Sequence, residues 1–165
     1  MKNKPEVLII HHTAVGGSSK QLHAVNRYHR DNGFPRSSIG WFVGYHYFIE
    51  KNGSITQTRT HTDVGAHTIG WNTKSIGVCL AGDFNYEQPT RAQLSTLRSL
   101  VTRLELPVDL HRNRQANRTC PGKNFTLDFL DEPQDVDDER KARLIAHYIK
   151  LYPRLATIIR RLFNK

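Results

Sequence analysis

The sequence predicts an α/β domain: a mixed central β-sheet covered by helices. Three observations carry this. Apolar, β-branched runs stand at residues 7–10 and 76–81, stretches with helical spacing lie between such runs, and one Asn-Gly hairpin signature interrupts them. At 165 residues the chain suits a single core and can bury most of its apolar surface without disulfides.

Taken in order, VLII at residues 7–10 reads as a buried strand that stops at His11-His12-Thr13, and Gly16-Gly17-Ser18-Ser19 is turn material. Leu22, Val25 and His29, with Ala24 and Tyr28, share helical spacing until Asn32-Gly33 ends the segment. Residues 45–50 and 54–59, joined by Lys51-Asn52-Gly53, form the hairpin. Residues 76–81 are a second buried strand, whose Gly77 implies close packing against it. Beyond Pro89, Thr90 caps a helix that places Leu94, Leu97, Val101 and Leu104 on one face. A short strand at residues 108–110 then delivers His111.

Charge divides the C-terminal region. Asp128, Asp131, Glu132, Asp135, Asp137, Asp138 and Glu139 cluster together, and from Arg140 onward there is no acid. The expected organisation is a core domain over residues 1–130 and a helical extension over residues 131–165. In that extension Leu155, Ile158, Ile159, Leu162 and Phe163 recur at helical spacing beside Arg154, Arg160, Arg161 and Lys165. Such a basic amphipathic helix fits either packing on the core or contact of residues 153–165 with an anionic envelope surface.

The formal charge of +9 favours polyanionic partners without choosing among them. A nucleic-acid-binding module is disfavoured, because basic residues are not interleaved with exposed aromatics on one element. The N-terminal residues run directly into a strand, and no stretch reaches the roughly twenty apolar residues of a membrane span. Synthesis without a signal peptide or membrane anchor is therefore expected, as is a monomer with both cysteines, Cys79 and Cys120, reduced.

Residues 110–122, LHRNRQANRTCPG, set His111 nine positions ahead of Cys120 across a polar loop. His11 ends another strand. Two imidazoles and a thiolate suit zinc, and three protein ligands leave the fourth tetrahedral position open. The same residues also read as a strand-end histidine and a small buried thiol, since nine histidines offer many combinations. His12 points to the other side of its strand from His11, and His46 alternates away from Tyr45; both are expected to be packed. Trp41 and Trp71 read equally as groove platforms or packing plugs.

Four segments in order, LIIHHTA, GYHYFIEKNGSI, VGAHTIGWNTKSIGVCLAGDF and LHRNRQANRTCPG, together resemble the type 2, zinc-dependent N-acetylmuramoyl-L-alanine amidases. These share a fold with the peptidoglycan recognition proteins. The likeness spans residues 7–122 and is greatest to short phage lysins of the T-odd coliphage lysozyme kind. It implies that His11, His111 and Cys120 hold zinc, and that Tyr45 directs its hydroxyl at the developing oxyanion. It also implies that His67 and Asn72 line the substrate groove beside the metal, where Trp71 is a further candidate substrate contact.

This chain departs from the pattern in two places. The interval from His111 to Cys120 is one residue longer than is usual, which implies a bulge in the loop. Arg118 stands where lysine or threonine is common. As a permanent cation it can stabilise negative charge but cannot pass a proton.

The implied activity is hydrolysis of the amide between N-acetylmuramic acid and L-alanine of peptidoglycan, by an endolysin made in host cytoplasm that meets the wall after release. The implied cofactor is Zn2+ and the partner a muropeptide. Non-catalytic peptidoglycan binding is the competing reading, and such relatives usually lose a zinc ligand that this chain keeps.

Overall fold

A computed structural model describes residues 2–131. The expected extension over residues 131–165, including the amphipathic segment at 153–165, lies outside the described residues apart from the backbone of Asp131. The described chain contains strands β1 (Val7–His12), β2 (Tyr47–Ile49), β3 (Ile55–Gln57), β4 (Ser75–Leu80) and β5 (Val108–Leu110). Its helices are α1 (Leu22–Asp31), α2 (Arg91–Leu104), α3 (His111–Arg114) and α4 (Asp128–Asp131).

The five strands form one mixed sheet in the order β3-β2-β4-β1-β5. Only the β2–β3 hairpin is antiparallel; β2–β4, β4–β1 and β1–β5 are parallel. All six residues of β1 and of β4 are buried, as central strands covered on both faces must be.

Alternation sends Leu8 and Ile10 of β1, with Ile76, Val78 and Leu80 of β4, to one face. There they pack with Leu94, Leu97 and Leu100 of α2. Thr90 caps α2 as expected: its hydroxyl accepts from Gln93 N while the Gln93 side chain accepts from Thr90 N, a reciprocal pair that satisfies both donors. The opposite face carries Cys79 of β4 and Phe48 of β2, against Leu22 of α1, Val43 and Ala81. His11, one residue along from Ile10, belongs to this second face.

Strand β4 lies one residue earlier than expected, and three other boundaries differ from the sequence expectation. Strand β1 runs on through His11 and His12 because both pair with β4, opposite Cys79 and Leu80. The hairpin ladder is shorter, since His46 N donates to Gly77 O before β2 begins. His111 opens α3 instead of ending a strand.

Candidate active site

His11, His111 and Cys120 come together, their ligand atoms all within 4.8 Å of one another. β1 delivers His11 and the end of β5 delivers His111. Cys120 arrives because its loop folds back, with Arg112 N donating to Cys120 O at 2.8 Å and the Arg112 guanidinium donating to Gly122 O and Phe125 O. The reversal passes through Asn117, which adopts a left-handed φ of 59°. This hairpin-like closure is how residues nine apart share one site.

The nitrogens are sorted by their partners. His11 Nε2 lies 3.0 Å from His67 Nδ1 and 3.3 Å from Thr68 Oγ1, while His11 Nδ1 faces Cys120 Sγ at 3.6 Å. His111 Nε2 lies 3.0 Å from Gln115 Oε1, an acceptor, so that nitrogen carries the proton. His111 Nδ1 is buried with no hydrogen-bond partner. A buried lone pair left without a donor is costly, and a metal ion resolves it.

Burial lowers the pKa of His11 well below the usual histidine value, helped by the neighbouring His67, and burial also lowers that of His111. Both rings are therefore neutral, the form that binds metal. Burial pushes the Cys120 thiol up to about 12, so a thiolate there calls for a cation beside it. The donor set fits zinc: two imidazoles and one sulfur, held from behind by polar partners.

Tyr45 packs beside this cluster, its ring centroid 5.0 Å from that of His11. Burial, together with Cys79 and Cys120 nearby, raises the phenol pKa well above its ordinary value. The hydroxyl thus remains a donor. Its side chain packs against the second core cluster, which includes Cys79, the β4 residue opposite His11.

One cleft reaches the cluster at His111 and another opens beside it at Tyr45. The one at Tyr45 is apolar, of about 550 Å³, and is lined by Val15, Gln21, Val25, Tyr28 and His29. The more polar one of about 530 Å³ is lined by His67, Thr68, Asn72, His111, Gln115 and Arg118. Arg118 is exposed on that rim, and no acidic side chain pairs with it among the described residues. Its charge adds to the burial that lowers the His111 pKa, and partly offsets the burial that raises that of Cys120.

His67 and Asn72 reach the polar cleft but also organise its wall, since Asn72 Oδ1 accepts from both His67 N and Thr68 N. Trp71 is held between two side chains of the protein itself. Lys74 Nζ and the Arg114 guanidinium each lie 4.1 Å from its ring centroid, so cations of the chain itself engage the indole face. Trp41 packs against the second core cluster. His12 Nδ1 accepts from Phe84 N, and His46 Nδ1 accepts from Gly77 N.

Sequence reasoning overlooked Gln115, Thr68 and the site role of His29. Gln115 had a usable signature: it follows His111 by four residues, one helical turn. The other two become neighbours of the site only through tertiary packing.

The family model for N-acetylmuramoyl-L-alanine amidase matches residues 1–123. The chain belongs to that family. It is 30% identical over 125 residues to peptidoglycan-recognition protein SC2 of Drosophila melanogaster, an alignment covering 71% of this chain and 68% of the relative. Among solved structures, the endolysin N-acetylmuramoyl-L-alanine amidase LysCS from Clostridium intestinale superposes with a TM-score of 0.63 at 27% identity, covering 86% of this chain and 84% of the other. Peptidoglycan recognition protein-LE in complex with tracheal cytotoxin, a monomeric diaminopimelic acid-type peptidoglycan, superposes with a TM-score of 0.67. At 22% identity, covering 84% of this amidase-family chain and 88% of the other, that likeness is one of fold.

Proposed function

We propose that the protein is a zinc-dependent hydrolase that cleaves the amide between N-acetylmuramic acid and L-alanine of peptidoglycan, acting as an endolysin. The observation that carries this reading is the His11, His111 and Cys120 cluster with the buried, unpartnered Nδ1 of His111. Membership in the amidase family and the likeness to an endolysin amidase support it.

Bound zinc supplies Lewis acidity toward the scissile carbonyl and toward water. The chain's own residues do the rest. His11 and His111 bind as neutral imidazoles and Cys120 as a thiolate. Tyr45, kept protonated by burial, donates a hydrogen bond to the oxyanion that develops on the carbonyl. Arg118 contributes fixed positive charge at the polar cleft, and the two clefts hold the portions of substrate on either side of the amide.

The enzyme is made in host cytoplasm and works on the wall after release, as a monomer. Contact between residues 153–165 and an anionic envelope is part of the same proposal.

Mass spectrometry of digested peptidoglycan tests it. Amidase cleavage frees intact stem peptides, and a chelator abolishes their appearance. New reducing sugar ends would reveal a glycosidase instead. Muropeptide binding with no released peptide, zinc present, would favour the recognition function that the fly relative's name describes.

A further inference from the structure

His67 sits closer to a metal ligand than a groove-lining residue needs to. Its Nδ1 lies 3.0 Å from His11 Nε2, on the side of that imidazole opposite the nitrogen facing Cys120. We propose that His67 is a positioning residue that acts through His11, accepting the Nε2 proton and thereby presenting His11 Nδ1 to the metal. The inference rests on the zinc reading of the cluster.

The proton directions follow from the far end of the chain of contacts. Ser75 Oγ donates to Trp71 O at 2.7 Å, which leaves its lone pairs for His67 Nε2 at 3.4 Å. That nitrogen accordingly carries the His67 proton, and His67 Nδ1 is left as an acceptor. Thr68 Oγ1, 3.0 Å from His67 Nδ1 and 3.3 Å from His11 Nε2, closes the same cluster.

The ring is also fixed in place. A Cβ on Gly65 would stand 2.5 Å from His67 Cδ2, and one on Gly77 would stand 2.6 Å from His67 Cδ2 and Cγ. The imidazole thus occupies a slot that exists only because both residues are glycine. Its backbone is anchored by Asn72 Oδ1, which accepts from His67 N at 2.8 Å. Such rigid support is what an outer partner of a metal ligand requires. A neutral imidazole in this role orients His11 without adding negative charge to a centre that already contains a thiolate.

The test is zinc affinity of the full chain, measured by chelator competition in the absence of substrate, with circular dichroism of the metal-free protein to follow folding. His67→Ala is expected to bind zinc about 10–100-fold more weakly. His67→Asn, whose Oδ1 falls near the position of Nδ1, is expected to recover most of that loss. Wild-type affinity in folded His67→Ala would overturn the proposal, and lost cleavage with intact zinc binding would return His67 to the substrate groove.

Should the emptied slot prevent His67→Ala from folding, Ser75→Ala decides. It removes the acceptor that sets the His67 tautomer and is expected to weaken zinc binding several-fold; unchanged affinity overturns the idea. A wild-type protein that binds no zinc would remove the proposed function as well, whereas zinc binding indifferent to His67 removes this inference alone.

Discussion

At His111 one imidazole has its two nitrogens assigned opposite tasks: Nε2 is tied to Gln115, and Nδ1 is left bare toward Cys120 and His11. That division makes the metal reading testable one side chain at a time. Cys120→Ser exchanges a soft thiolate for a poor zinc ligand, and zinc content measured after dialysis is expected to fall together with wall hydrolysis. Full hydrolysis by a metal-free Cys120→Ser protein would refute the assignment. Tyr45→Phe separates binding from turnover: zinc content is expected to stay at wild-type level while kcat drops by about 10²–10³, the usual cost of one oxyanion donor. Residue types at strand ends were enough to nominate His11, His111 and Cys120. They could not show which nitrogen faces the metal, since that depends on Gln115, His67 and Thr68, which approach from other segments.

Strand β4 shows how an element builds the site. Its sequence SIGVCL puts Ile76, Val78 and Leu80 into the α2 core, whereas the other face carries only Ser75, Gly77 and Cys79. The small residues leave room for the His67 ring and the Tyr45 side chain. Gly77 in an apolar run could be read as a sign of close packing, but the identity of the group packed there could not. Helix α1 illustrates the converse limit. Gln21 at its N-cap makes no side-chain capping bond; instead the buried carboxylate of Glu50, at the end of β2, accepts from Gln21 N at 2.8 Å and Leu22 N at 2.9 Å. No local pattern could reveal a cap supplied from 28 residues away. Removing it with Glu50→Ala leaves buried donors unpaired at the positive end of the helix dipole, and should cost about 1–3 kcal/mol in urea denaturation. Because α1 walls the apolar cleft, the same variant should also raise KM for wall fragments. Stability within about 0.3 kcal/mol of wild type would show that this contact is not a cap in solution.

Across the molecule the fold class was legible because alternation and helical spacing are local, while sheet order had to come from pairing between distant strands. The same long-range packing sets the response to acid. His12, His29 and His46 each spend Nδ1 as acceptor for a backbone N–H, from Phe84, Gly44 and Gly77 respectively. Those bonds exist only for neutral rings, and burial depresses the pKa of all three, with His29 and His46 falling to about 4. For His29 and His46 the unfolded chain binds the proton near pH 6.5 and the folded chain only near pH 4, so their stabilisation is complete above pH 6.5 and lost as pH falls through that interval; His12 adds to the loss in the same direction. Asp63, Glu87 and Asp109 are held below the usual carboxylate range by their hydrogen bonds and so add their own loss only in stronger acid. His29 and His46 together represent on the order of 6 kcal/mol between pH 6.5 and pH 4. Calorimetry of the chelator-treated protein should therefore show Tm falling by more than about 10 °C between pH 7 and pH 4.5. His46→Asn, whose Oδ1 falls near the position of Nδ1 and can accept from Gly77 N without titrating, should flatten that slope although its Tm at neutral pH is lower. A wild-type Tm that holds level across this range would mean that these histidines are not locked in their neutral form.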